Sequence, residues 1–379
     1  MSTKPFDYAV IGAGAAGLQL VFKMVSDPFF EEKTIIILEK EEKNANDKTW
    51  SFWEKETSEW DALAIRSWKE GLFISDQQVE LSFEPYQYKT VRAADFYAYT
   101  TSRIKKHKGV TWVDEEVIRV NPSSIQTAQA HYKADQIFDS RIAPRFKKTI
   151  RKYDALIQHF KGWVIETATD VFNPEVFTMM DYRLQWKDHT SFTYILPFSS
   201  TKALVEFTLF DQQMLADEEY DEMLRKYVED FLQLKEYKIL EIEKGQIPMT
   251  VYPFHRDHSS HVTKIGTAGG WVRPSSGYSF KNADRNTTKI IQNLKKGRKA
   301  HKGIHNRKHH LFDRVFLNVL VRVNKIGVEV FSTFYTKHPV PRLLRFLDSE
   351  SALSEDVKII FSLNRKEFRR ALVALFKFW

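Results

Sequence analysis

The sequence predicts an α/β (α+β) fold in three parts: a Rossmann-type dinucleotide-binding domain, a mixed-sheet domain inserted into it, and a C-terminal helical region. Three observations predict it. Near the start of the chain, a Gly-x-Gly-x-x-Gly motif at Gly12, Gly14 and Gly17 separates a strand-like run from a helix-like run. A long strand-rich stretch then precedes a second glycine cluster, Gly266-Thr267-Ala268-Gly269-Gly270. Beyond that cluster, apolar residues recur at helical spacing.

Residues 8–11 read as a strand, and Leu18, Leu20, Val21, Phe22 and Met24 as a helix that ends at Asp27-Pro28, because proline cannot continue a helix and restricts the residue before it. Residues 34–38 form an apolar β-branched run that ends at Glu39, the pattern of a strand buried on both faces. An aromatic stretch with Trp50, Phe52, Trp53, Trp60 and Trp68 follows. Residues 93–106 read as a helix, and 110–113, 117–120 and 135–138 as strands. The middle carries strands at 163–167, 177–180, 191–196 and 203–210, then a helix over 221–240 with Leu224, Tyr227, Val228, Phe231 and Leu232 on one stripe. Residues 264–268 are expected to form a last strand, with a helix opening near Tyr278. Leu311, Phe312, Val315, Phe316, Val319, Leu320 and Val323 trace a helix, and Pro341 opens another that runs to residue 347. The tail over 365–379 places Phe368, Leu372, Leu375, Phe376 and Trp379 on one face. The expected domains are 1–60, 90–150 and 250–295 for the dinucleotide, 61–89 and 151–249 for the substrate, and a basic helical region over 296–379.

With 379 residues, 43% hydrophobic and 28% charged, the chain has the composition of a folded protein of two or three units. It has no cysteine, which excludes disulfides, thiolate metal sites and thiol catalysis. The net charge is +8, and residues 281–310 hold ten Lys or Arg against one acid, Asp284. Such a run reads as a solvated face, a nucleic-acid patch or a surface for anionic lipid. No helix-turn-helix, finger or RNA-binding sheet accompanies it, so no nucleic-acid partner is expected. His305, His309 and His310 lie inside it, where like charge opposes a metal ion, and no metal site is expected. No apolar run reaches the ~18 residues of a spanning helix, and no leader pattern is visible. A cytoplasmic location with peripheral membrane contact is the expectation.

The glycines carry a mechanism. The first permits the tight turn, the second lets the backbone approach a pyrophosphate, and the third lets helix and strand pack closely. Glu39 lies 22 residues after Gly17 (39 − 17), near the ~20 expected of a carboxylate that binds a ribose hydroxyl. The wide insertion between the two glycine clusters suits a flavin dinucleotide fold, and a second glycine motif for a nicotinamide cofactor is absent. FAD is therefore the expected cofactor.

Six further blocks narrow the reading: Asp47-Lys48-Thr49-Trp50-Ser51-Phe52-Trp53, Phe138-Asp139-Ser140-Arg141, Gln158-His159-Phe160-Lys161-Gly162-Trp163, Leu196-Pro197-Phe198-Ser199 with Ala203-Leu204-Val205-Glu206-Phe207-Thr208-Leu209-Phe210, Gly245-Gln246-Ile247-Pro248-Met249, and Gly269-Gly270-Trp271-Val272-Arg273-Pro274-Ser275-Ser276-Gly277-Tyr278-Ser279-Phe280. In this order the chain resembles bacterial, flavobacterial-type lycopene β-cyclases, within a flavoprotein superfamily that also holds geranylgeranyl reductases and aromatic hydroxylases. The resemblance implies that Gly12, Ala13, Gly14, Ala15, Ala16, Gly17, Glu39, Lys40, Lys48, Thr49, Trp50, Val117, Gly266, Ser275, Ser276, Gly277 and Tyr278 contact FAD. Lys48 stands where the family more often has Arg, and Glu206 stands alone where plant cyclases have two adjacent acids.

The activity implied is a proton-initiated, non-redox cyclisation of the linear ends of lycopene, by way of γ-carotene, to the β-ionone rings of β-carotene. Glu206 is the expected acid–base group, because a carboxyl desolvated in an apolar strand has a raised pKa. Leu204, Glu206 and Thr208 share one face of that strand by alternation, so an outward-facing carboxylate is the competing reading. Reduced, anionic FAD, with NAD(P)H as an indirect electron source, would stabilise the cation electrostatically. Lycopene and γ-carotene are the expected substrates and a membrane surface the expected partner, docked through the basic segment and the amphipathic tail. An isoprenoid reductase or monooxygenase of the same superfamily is the alternative enzyme. A basic membrane- or nucleic-acid-binding module with a vestigial nucleotide fold is the alternative outside enzymes.

Overall fold

The structure is a computed structural model that describes residues 5–305, 308–363 and 366–376. The chain is α/β. Five parallel strands form its first sheet, in the order Val110–Val113, Ile35–Leu38, Phe6–Ile11, His131–Asp139 and Val262–Lys264. Ile35–Leu38 and residues 8–11 are continuously apolar because both faces are covered: Ala15–Val25, packed against Ala93–Ile104 and Phe280–Lys295, lies on one face, and Val117 and Ile125 lie on the other. Two antiparallel strands, Ser124–Thr127 and Val117–Asn121, extend the sheet beyond His131–Asp139.

The second sheet has seven strands in the order Lys238–Thr250, Ala155–Glu166, Lys202–Asp211, Ser191–Pro197, Val176–Asp181, Glu70–Ile74 and Gln78–Ser82. One face buries Trp163, Val205, Phe207 and Leu209 against Tyr220, Leu224 and Tyr227 of the Asp217–Phe231 helical segment. The other face buries Leu156, Leu204 and Phe210 beneath the C-terminal helices, through Phe316, Phe331 and Phe346. A small sheet of Thr49–Glu54, Gln87–Arg92 and Ala64–Trp68 lies between, joining segments on both sides of residues 60 and 89.

Three expected elements differ. The strand expected over 163–167 spans Ala155–Glu166, starting eight residues earlier (163 − 155). The helix expected over 221–240 spans Asp217–Lys226 and a π-turn, Tyr227–Phe231, and then stops; Gln233 adopts φ +56. The chain then enters the edge strand Lys238–Thr250, whose backbone pairs with Ala155–Glu166 over its length, a long-range ladder that local periodicity does not reveal. The strand expected over 264–268 lies at Val262–Lys264, and Gly266–Gly269 is a 3₁₀ turn with Gly266 at φ +60. The last helix, Lys366–Phe376, buries Phe368 and Ala371; the expected positions Arg365 and Trp379 lie outside the described residues.

Candidate active site

The nucleotide end is built by three glycines. Gly12 leaves its strand at φ +95, and a Cβ there would overlap the Ser140 hydroxyl. A Cβ on Gly17 would overlap the Gly12 carbonyl oxygen, so the helix rides directly on the strand. Gly14, the N-cap residue, faces open space, and no side chain caps the helix. Uncapped amides and an open approach are what a pyrophosphate requires. Glu39, buried at the end of Ile35–Leu38, accepts hydrogen bonds from the amides of Ala13 (2.6 Å) and Lys40 (2.8 Å). Gly266 lies against Ala16, at the start of the helix. Ala15 and Ala16 form its first turn. These residues fit a dinucleotide.

Three expected cofactor positions make other contacts within the protein. The Lys40 ammonium lies 3.7 Å from Glu116. Lys48 is exposed and pairs with Asp47 at 2.7 Å. Val117 lies in an outer strand, its carbonyl accepting from Arg141 Nη1 at 2.6 Å.

The rest of the expected set surrounds a cavity of about 170 Å³ between the second sheet, the 275–280 loop and the C-terminal helices. Trp50, Ser275, Ser276, Gly277, Tyr278 and Glu206 all line it. Gly277 has φ +76 and packs so closely on Gln158 that a Cβ would overlap its amide oxygen. Gln158 Oε1 and Ser276 Oγ are buried there with no hydrogen-bond partner among the described residues, orphaned polar atoms that a bound cofactor or substrate can satisfy. Arg273, almost wholly buried, ties this loop to the C-terminal helices through Asp313 (3.1 Å) and Ser349 (2.6 Å).

Strand register creates the chemistry. Tyr194, Glu206, Gly162 and Glu243 stand directly opposite one another across four adjacent strands. Gly162 separates the two glutamates; a Cβ on it would come within 3.3 Å of Glu206 Cβ and of Glu243 Cγ. The gap lets the carboxyl groups meet in a hydrogen bond. Thr208 donates to Glu206 Oε1 at 2.8 Å, and Thr49 to Glu243 Oε2 at 2.6 Å.

Burial, reinforced by the Glu243 carboxylate, pushes the Glu206 carboxyl well above the usual range. Burial, helped by the like charges of Glu241 and Asp47, also raises Glu243, and the hydrogen bonds from Thr49 and Glu206 offset only part of the rise. Both carboxyls are thus shifted upwards, Glu206 the more strongly placed to stay protonated, and they titrate as a coupled pair. Next to it, Tyr88 joins Tyr194 (2.8 Å) and Tyr278 (3.0 Å), and Tyr194 donates to Ser51 (3.1 Å). Burial raises all three phenols, which stay neutral donors. Aromatic rings, including Phe160, Phe192, Phe210 and Phe331, complete the walls.

Sequence reasoning singled out Glu206 but missed Glu243, Tyr88 and Tyr194. One signal was present: Glu241, Glu243, Gly245 and Ile247 alternate up to the Ile-Pro-Met block, a strand pattern running straight on from the end of the expected helix.

A family model described as "Lycopene cyclase protein" matches residues 7–373. No curated protein matches the chain significantly. Among solved structures, a geranylgeranyl bacteriochlorophyll reductase-like protein from Thermoplasma acidophilum superposes with a TM-score of 0.63 at 11% identity, over 97% of this chain and 98% of that one. The flavin-dependent brominase Bmp2 gives 0.58 at 12% identity over 99% of both chains. The 2-methyl-3-hydroxypyridine-5-carboxylic acid oxygenase gives 0.55 at 12% identity over 93% and 94%. These likenesses show a shared fold.

Proposed function

Because the chain belongs to the lycopene cyclase protein family, we propose that it closes the linear ends of lycopene into β-ionone rings, by way of γ-carotene to β-carotene. The reading rests on Glu206, a carboxyl kept protonated at the wall of an apolar, aromatic-lined cavity. Addition of a proton to the terminal alkene gives a tertiary cation. The chain closes on that cation, and loss of a ring proton restores neutrality, so the product is an isomer of the substrate. Glu206 is suited to supply the proton and, once ionised, to take one back. The ring faces can attract the passing cation, each worth up to about 2 kcal/mol when desolvated. The C-terminal helices exclude water that would otherwise trap it.

The glycine turn, Glu39 and the 275–278 loop would hold FAD, whose reduced, anionic ring, maintained by electrons from NAD(P)H, supplies fixed negative charge in the cavity. The flavin dependence of the brominase that shares the fold supports this cofactor.

Pigment chromatography of lycopene-accumulating cells that express the chain tests the reading. β-Carotene is the expected product. Unchanged lycopene, from a folded yellow protein that oxidises NADPH, would overturn it in favour of a flavin-dependent isoprenoid reductase or monooxygenase.

Lycopene resides in bilayers, so the protein has to meet a membrane, here placed at the cytoplasmic face. Among the described residues no helix is long and apolar enough to cross one. The helix Leu353–Ser362 exposes Leu353, Val357, Ile360 and Phe361 beside Lys358, and the next helix exposes Arg369 and Arg370. An apolar stripe edged by cations complements anionic lipid. Four of the ten cations in the 281–310 run are instead paired with acids from other segments, Lys281 with Glu54, Arg285 with Asp348, Lys295 with Asp27 and Lys308 with Asp356. Phe361→Glu should weaken flotation with anionic vesicles by about tenfold or more, from lost burial of one aromatic side chain. Unaltered flotation would sink this docking face.

A further inference from the structure

We propose that Glu243 is a positioning residue: its carboxylate, reaching Glu206 across the side-chain-free Gly162, holds the single proton of the pair on Glu206, at the cavity wall. This rests on the cyclase reading of Glu206 given above.

Three geometric facts carry it. Gly162 faces Glu206 on one neighbouring strand and Glu243 on the other, so the two carboxyl groups share the space where its side chain would stand. Thr49, from the small sheet, donates to Glu243 (2.6 Å) and leaves that carboxylate an acceptor. Thr208 donates to the Oε1 of Glu206 (2.8 Å), which leaves Oε2 to bear the proton. The groups around the pair agree with this. Tyr194 and Tyr278 face Glu206 as neutral phenols. Glu241 and Asp47 act on Glu243 with like charge. Glu241 is itself held by Arg92 (2.6 Å) and Asn46 (2.9 Å), and Asp47 by Lys48 (2.7 Å). The main influences on the two carboxyls are burial, hydroxyl donors and other acids, with no cation among them.

In this arrangement Glu243 touches neither proton acceptor nor substrate; it acts through Glu206. Its negative charge makes Glu206 hold its proton to higher pH. The cyclisation needs protonated Glu206, so activity falls as pH rises through the pKa of Glu206. Neutralising Glu243 lowers that pKa and should move the alkaline limb downwards.

The test compares purified wild type, Glu243→Gln, Glu243→Asp and Glu206→Gln with lycopene in vesicles. Glu243→Gln is expected to shift the alkaline limb of kcat down by about one pH unit or more, with KM nearly unchanged. Glu243→Asp, which keeps the charge, should stay within a few tenths of a unit of the wild type. An unmoved limb in Glu243→Gln overturns the inference, as does an equal shift in both variants. Infrared spectra supply a readout independent of turnover. The carbonyl band of a buried protonated carboxyl should be present in the wild type at neutral pH, lost in Glu206→Gln and kept by Glu243→Gln in acid. Its absence from the wild type, or its survival in Glu206→Gln, also overturns the inference. A wild type that shows the band but leaves lycopene unchanged would defeat the cyclase reading alone.

Discussion

Glu206→Gln is expected to reduce β-carotene formation about 10²–10⁴-fold, the contribution of a positioned acid or base, while the protein still folds and binds its cofactor. Glutamine keeps the length and hydrogen-bonding reach of glutamate but has no proton to give. It can accept from Thr208 and donate to Glu243, as the carboxyl does, so the strand register has no reason to change. Stability should move the opposite way to activity. A carboxyl whose pKa is raised on folding contributes its stability below the unfolded value, here 4.5, and loses it as pH rises towards the folded one. At neutral pH, then, the wild type bears a cost that glutamine does not, and Glu206→Gln should melt no lower than the wild type. Chromatography of carotenoids and thermal melts at pH 5 and pH 8 check both statements. Wild-type turnover by the variant would remove Glu206 from the chemistry.

Gly17→Ala is expected to abolish cofactor retention and to destabilise the fold by about 3 kcal/mol, at the upper end for overpacking. The added methyl would overlap the backbone carbonyl of Gly12, which unlike a flexible side-chain tip cannot swing aside. Relief requires the Ala15–Val25 helix to lift from Phe6–Ile11, and the amides at its N-terminus leave the place where a pyrophosphate would sit. Gly14→Ala is the contrast. Its Cβ meets nothing within 4 Å in the protein, so the fold should tolerate it while the cofactor is repelled. Flavin absorbance after gel filtration, set beside melting temperature, separates the two. Equal flavin content in Gly17→Ala and the wild type would contradict this account of the turn.

The features legible in the sequence are local ones. A turn that needs three glycines, a strand ending in an acid and an apolar helical stripe are each imposed by steric and burial rules within a few residues, so Gly12, Gly17, Glu39 and the Phe312–Phe316 stripe can be read directly. Glu206 is legible as a carboxyl within an apolar strand, but which way it faces is not. The extent of the Asp217–Phe231 helical segment is only partly legible: the alternation over 241–247 signals a strand, but its pairing with Ala155–Glu166 is set at long range.

That pairing also decides the site. Glu206 and Glu243 lie 37 residues apart (243 − 206) in sequence, and only register across Gly162 makes them one proton-sharing unit. The basic run is plain in the composition, yet partners from distant segments neutralise part of it. Backbone sterics and side-chain alternation act over short range, so the amino acids alone dictate the nucleotide turn, most of the element order and the acid in the strand. The second carboxylate, the tyrosine network and the helical roof of the cavity exist only once the chain has folded. Those depend on strand register and packing between residues far apart in the chain, which no local pattern encodes.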